Sequence, residues 1–190
     1  MKRLNWISIA IICLFMTFFC GSIIRLMLSP VTNSDELIAN DIQALQQIFK
    51  KIHQDCTIVQ FDRDRNEIDF LTVEKFAGND VGSMTVLYPN FWQGSYLKYN
   101  LMMQQEPYVI AKTLSGYYIV PGNGVTLNNG QILGKDIIID KKTNMDKLLA
   151  DSGALISPSG LLAGKIQIGA TFLQKIFAPT EGFKLYDTEA

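Results

Sequence analysis

Residues Trp6 to Ile24, WISIAIICLFMTFFCGSII, run for 19 positions without a charge. An apolar run of about 20 residues is long enough to cross a bilayer as a helix. Lys2 and Arg3 precede the run and Arg25 follows it. Positive charge at the N-terminal side predicts that this end stays in the cytoplasm. Everything after roughly residue 30 is then expected on the far side, in the periplasm of a Gram-negative cell. Two other readings use the same stretch. A cleaved signal peptide would take Lys2-Arg3 as its basic region and residues 6–19 as its core, but FFCGS satisfies the small-x-small cleavage rule poorly. A lipoprotein would use Cys20, where Phe18 and Phe19 stand in place of small residues.

This span also explains the composition. Mean hydropathy is positive, +0.14, because of it. The remaining length suits one domain of ordinary size. A formal net charge of −1 gives no basic footprint for nucleic acid or anionic lipid. Of three cysteines, Cys13 and Cys20 fall inside the span and Cys56 lies far from it. An intrachain disulfide is therefore not expected, and all three read as small packing residues.

After Pro30 a second helix is predicted. Asn33 or Ser34 can cap it, and Asp35-Glu36 place negative charge in its first turn. Its apolar positions are Ile38, Ile42, Leu45, Phe49, Ile52 and Cys56, spaced 4, 3, 4, 3, 4. That is a heptad-like seam under three heptads long, which suits a helix laid against a sheet or against neighbouring helices. The only histidine, His53, sits beside the seam and reads as a boundary residue.

Beyond Cys56 the texture is that of strands. CTIVQFD and EIDFLTV read as a hairpin with DRDRN as its turn, and SMTVLY as a third strand. PYVIAKTL and GYYIVP flank Ser115-Gly116, a two-residue turn signal. GNG at 122–124 and NNG at 128–130 bracket VTL and lead into ILGKDIIID, which extends the meander. NMDKLLAD, capped by Thr143 or Asn144, predicts a short helix over about 143–151. From about residue 157 one further strand and a loose tail are expected.

No catalytic constellation is visible. There is no G-x-S-x-G, and one histidine serves the whole chain. No zinc ligand set, phosphate loop or EF-hand is present. DRDRNEID gathers Asp62, Asp64, Glu67 and Asp69, yet it reads as a solvated turn. Asp136 and Asp140 share a strand face by parity, with a loop-bound calcium as the sharper alternative. Neither a cofactor, a metal nor an enzymatic activity is expected.

One segment stands apart. PNFWQGSYLKYN, residues 89–100, holds four aromatics in twelve positions, with Tyr88 just before it. Alone it suggests a binding platform. Between strands, its rings read better as filling beneath the long helix or as a subunit contact.

The layout of basic stub, apolar helix, amphipathic continuation and small antiparallel sheet resembles the type IV pilins and type II secretion pseudopilins. Gly94, Tyr96 and Leu97, followed ten residues on by Pro107 and Tyr108, look like that family's G-P-Y-[LI] and x-P-Y pair. GYYIVPGNG stands where the family has a strand and a glycine turn. The sequence departs from the family at its N-terminus. It has no prepilin cleavage site, and the first acidic residue is Asp35. The resemblance implies a structural component of a secretion or pilus-like assembly that acts by subunit packing. The alternative is a bitopic protein whose periplasmic domain binds or scaffolds partners.

The expected protein is thus α+β, with an N-terminal transmembrane helix continuing into an amphipathic helix packed on a small antiparallel sheet. Its regions are a stub and anchor over 1–30, the helix over 31–56, and a β-rich extracytoplasmic domain over 57–190. Expected partners are the bilayer through residues 6–29, other envelope or secretion-system proteins, and further copies of itself. The seam Ile38, Ile42, Leu45, Phe49 and Ile52 is the expected interaction face.

Overall fold

The computed structural model describes Leu14, Met16 and residues 33–169. Of the apolar span only Leu14 and Met16 are described, both helical and exposed. The anchor, Cys13, Cys20, Pro30 and the tail from residue 170 lie outside the described residues. Among the described residues no helix is long and apolar enough to cross a membrane. The chain divides into two units, one ending at Asn33 and the other beginning at Ser34.

The 4-3 spacing of the seam is realised as one helix, α1, Ser34–Cys56. Ser34 begins it, and its hydroxyl donates to the Asn128 amide oxygen at 3.0 Å. Asp35 is buried and accepts the backbone N–H of Asn128 at 3.0 Å. The helix ends at Thr57, whose φ of +54° is left-handed and unusual for a β-branched residue. Its N–H returns to the His53 carbonyl at 3.0 Å. The His53 Nδ1 accepts the next N–H, from Ile58, at 3.2 Å. The lone histidine is therefore a buried cap of the helix C-terminus.

Eleven strands follow among the described residues. The main sheet is antiparallel with order β11-β8-β7-β2, formed by Gly164–Ile166, Gly116–Val120, Val109–Thr113 and Arg65–Glu67. The β7–β8 hairpin turns at Leu114-Ser115 with Thr113 opposite Gly116. A second sheet has order β1-β4-β3, from Ile58–Phe61, Met84–Val86 and Asp80–Val81. Two short ribbons complete the set: β5–β6 (Met102–Met103, Glu106–Pro107) and β9–β10 (Ile156–Ser157, Gly160–Leu161). The architecture is α+β, a helix packed on antiparallel sheets.

Two expectations fail here. CTIVQFD and EIDFLTV do not pair with each other. β1 pairs with β4, β2 pairs with β7, and Phe70–Thr72 is a 3-10 turn. The pairing of β2 with β7 stops at Glu67, and the backbone then turns at Phe70–Thr72, where Val73 N–H donates to the Phe70 carbonyl and both Phe70 and Leu71 go inside. Asn66, also buried, fixes the preceding turn by bonding both the N–H and the carbonyl of Arg63. ILGKDIIID is not a strand either. Its N-terminal half is folded on itself, with the Asp136 carboxylate accepting Ile132 N–H at 2.9 Å and Gly134 N–H reaching the Ile137 carbonyl at 2.8 Å. The segment after 157 carries the further strand expected there, and the tail from residue 170 lies outside the described residues. The segment supplies β10 and β11, and β11 completes the main sheet. The short helix α2 spans Met145–Leu148 and is capped by Asn144, whose Oδ1 accepts Asp146 N–H at 3.0 Å.

The core lies between α1 and the sheets. Ile38, Ile42, Leu45, Phe49, Ile52 and Cys56 are all at most 1% exposed. Each such side chain removed from water stabilises by about 1.5–3 kcal/mol. Phe49 stands edge-on to Phe61 (6.4 Å) and Phe70 (6.1 Å), tying the helix to both neighbouring segments. Cys56 is a buried free thiol.

Candidate interaction surface

The seam does not face a partner. Ile38, Ile42, Leu45, Phe49 and Ile52 pack into the domain's own core, so the expected interaction face is closed within the domain. The apolar stripe that would have met another subunit's helix is satisfied by the sheet.

The family-like residues serve the same interface. The Tyr108 hydroxyl donates to the Asp41 carboxylate of α1 at 2.8 Å. Burial, and then the Asp41 bond, push the Tyr108 phenol well above its ordinary range, so it stays a donor throughout the physiological span. Gly94 lies where the Trp92 indole and the Val73 carbonyl close on it, and a Cβ there would strike both. Tyr96 and Leu97 donate their N–H groups to the Leu71 carbonyl at 2.8 and 3.1 Å. Gln93 N–H donates to the Tyr96 hydroxyl (3.3 Å), while Gln93 Oε1 accepts from Lys51 Nζ (2.8 Å). Lys51 also pairs with Asp55 at 3.0 Å. The two halves of the motif thus reach the helix at Asp41 and at Lys51, separated by about 15 Å of helix. Pro107 closes the β5–β6 ribbon opposite Met102, one residue before Tyr108.

The aromatic segment divides. Trp92, Tyr96 and Leu97 are half-buried against the core. Trp92 donates its indole N–H to Val73 O at 3.1 Å and stands perpendicular to Phe76 (5.3 Å) and Tyr96 (4.8 Å). Phe91 (61% exposed) and Tyr99 (71%) face solvent, with Leu87 and Tyr88 also open. Leu87 and Tyr88 are held beside the helix end, because both N–H groups donate to the Cys56 carbonyl. That carbonyl is one of the groups a helix C-terminus leaves without an internal partner. The exposed rings therefore stand on a fixed stem.

The acidic candidates engage locally. Asp64 pairs with Lys141 at 2.7 Å. Asp140 accepts from the Thr143 hydroxyl and from Lys142 N–H, and these bonds lower its pKa. Among the described residues no group of three metal-ligating side chains comes together.

Sequence reasoning missed the roles of Asp41 and His53. Asp41 carried a faint signal, since it is an acid adjoining the seam position Ile42. His53 carried none, because its bond depends on where Ile58 turns. Comparison with family models, with characterised proteins and with solved structures gives no match for this chain.

Proposed function

We propose that the protein is a pseudopilin-like, membrane-anchored envelope component that acts structurally, by packing against other proteins of a secretion or pilus-like assembly. In this reading the apolar span crosses the inner membrane and continues toward α1, and the domain from Ser34 lies in the periplasm. The observation that supports it is α1 itself, a 23-residue helix beginning ten residues after the apolar span and clamped along an antiparallel sheet. The G-x-Y-L and P-Y residues both secure that helix, the task a structural subunit asks of them. No catalysis is assigned.

A second reading is favoured by two specific observations. The seam is closed inside the domain, and the prepilin cleavage signature is missing. A bitopic protein that binds or scaffolds partners through its periplasmic domain needs neither an open seam nor processing. The test is membrane fractionation with N-terminal sequencing in cells that carry the prepilin peptidase. Release by alkaline carbonate would sink both readings. Retention with a shortened N-terminus supports pilin-type maturation, and retention with Met1 intact supports the scaffold.

A further inference from the structure

β11 is an edge strand. β8 pairs with one side of it, and among the described residues no strand lies on the other. An open edge offers backbone donors and acceptors to any extended chain, and folded proteins ordinarily block it. Among the described residues a side chain stands at that edge. Gln46 of α1 donates its amide to the Lys165 carbonyl at 3.2 Å, the position a neighbouring strand's N–H would take. Gly164 makes room for it, since a Cβ there would come within 2.6 Å of Gln46 Cδ and 2.8 Å of Ile42 Cγ2.

Beside this edge runs a trough. A cavity of about 290 Å³ is lined by Gln43, Gln46, Gln47 and Lys50 from the helix and by Lys165 and Gln167 from the strand, over a floor of Phe49 and Ile166. A second cavity of about 200 Å³ shares Gln43 and Gln46 with it and reaches Asn40 on the helix and Ser159 beside β10. From Asn40 to Lys50 the helix rises about 15 Å, the length of about four to five residues of extended chain. The polar lining is otherwise neutral, and its only charges are Lys50 and Lys165. Neither lysine has an ion pair among the described residues. Lys165 Nζ lies 6.0 Å over the Tyr118 ring, a weak hold for an exposed ammonium.

We propose that this trough receives an extended, acidic segment of a partner protein, added to β11 as a further strand. The partner's N–H would replace the Gln46 amide on the Lys165 carbonyl, and its carboxylates would meet Lys50 and Lys165. Side-chain amides along the helix would take up its remaining backbone groups. The inference rests on the reading of the domain as one that engages other proteins, and it names the surface by which it does so.

The test uses the full chain in detergent micelles and a fluorescent, blocked peptide of about five residues that alternates glutamate with threonine or valine. Controls replace glutamate by lysine, or methylate alternate backbone nitrogens. Anisotropy should show saturable binding of the acidic peptide alone. The pair Lys50→Glu and Lys165→Glu should weaken it about tenfold, with an unchanged thermal midpoint because both side chains are exposed. Gln46→Ala should strengthen it, since the competing amide is gone. Equal binding of the lysine or methylated peptide overturns the proposal. So does self-association of the chain that the charge reversals abolish while no peptide binds, which would make a second copy the occupant. Membrane fractionation and N-terminal sequencing read the anchor independently, so failure of the anchored reading and failure of the trough are distinguishable.

Discussion

The seam of α1 and the segment from Tyr88 to Asn100 are both rich in apolar side chains, and they end differently. Every seam residue is closed in the core, whereas the segment sends Trp92, Tyr96 and Leu97 inward and leaves Phe91 and Tyr99 in solvent. The seam has a period, and a period commits all its members to one face. The segment has none, so each ring is placed by its own local bonds: the Val73 carbonyl for Trp92, the Leu71 carbonyl for Tyr96. Apolar content alone therefore does not say which side chains carry stability and which are left for contact.

The sharpest break of that contrast is Phe49→Ala. Phe49 is 1% exposed and touches Phe61 and Phe70, so its loss leaves a cavity between helix and sheet. We expect destabilisation of about 3–5 kcal/mol, read as a lower urea midpoint with an unchanged slope. An effect below 1 kcal/mol would mean that the helix does not lean on this sheet.

Next in size is Tyr108→Phe. It removes the hydroxyl that donates to Asp41 and leaves a carboxylate at the helix–sheet seam without that donor. The expected cost is about 1.5–3 kcal/mol, and Asp41→Asn, which keeps an acceptor, should cost less. Equal losses from both would point to packing rather than the bond.

Acid gives a smaller effect. His53 is buried, and that burial lowers its pKa below the ordinary 6.5. Above that value the ring is neutral in both states and its bond from Ile58 N–H is intact. As pH falls through the unfolded value toward the folded one, the unfolded chain takes up the proton first, and stability drops. Below the folded value no further loss follows from this group. Urea unfolding between pH 8 and 5 should show the decline, and His53→Gln, which keeps an acceptor without a titration, should flatten it.

These three residues also mark how much could be read in advance. The helix, its apolar face and the β7–β8 hairpin were legible because each repeats a period or a turn signal over many residues. EIDFLTV misled because an apolar run resembles a strand, whereas its pairing stops at Glu67 and the backbone turns at Phe70–Thr72. β11 was obscured by glycine and lysine, and its place in the sheet comes from pairing with Tyr117 to Ile119, some 46 residues away. Asp41 was only faintly readable and His53 not at all, since each role belongs to a partner that only the tertiary fold supplies. The seam's face was clear in the sequence, but its occupant was not: periodicity says that a stripe will be buried, never against what.

The smallest expected effect on stability is also the most informative about contact. Phe91→Ser replaces a ring that is 61% exposed and stands edge-on to Tyr88 at 6.4 Å. Stability should move by no more than about 0.5 kcal/mol. The stem that carries the ring is fixed to the Cys56 carbonyl through Leu87 and Tyr88, so the substitution changes what the surface presents and not where it stands. If these rings are a subunit contact, a photo-crosslinking residue at position 91 in intact cells should yield a discrete adduct. The same probe at position 112, an exposed lysine on β7, should yield none. A loss of stability comparable to that of Phe49→Ala would place Phe91 with the core and erase the contrast. A stable variant with no adduct at 91 would leave the fixed stem without a partner, and the contact would have to be sought at the β11 edge instead.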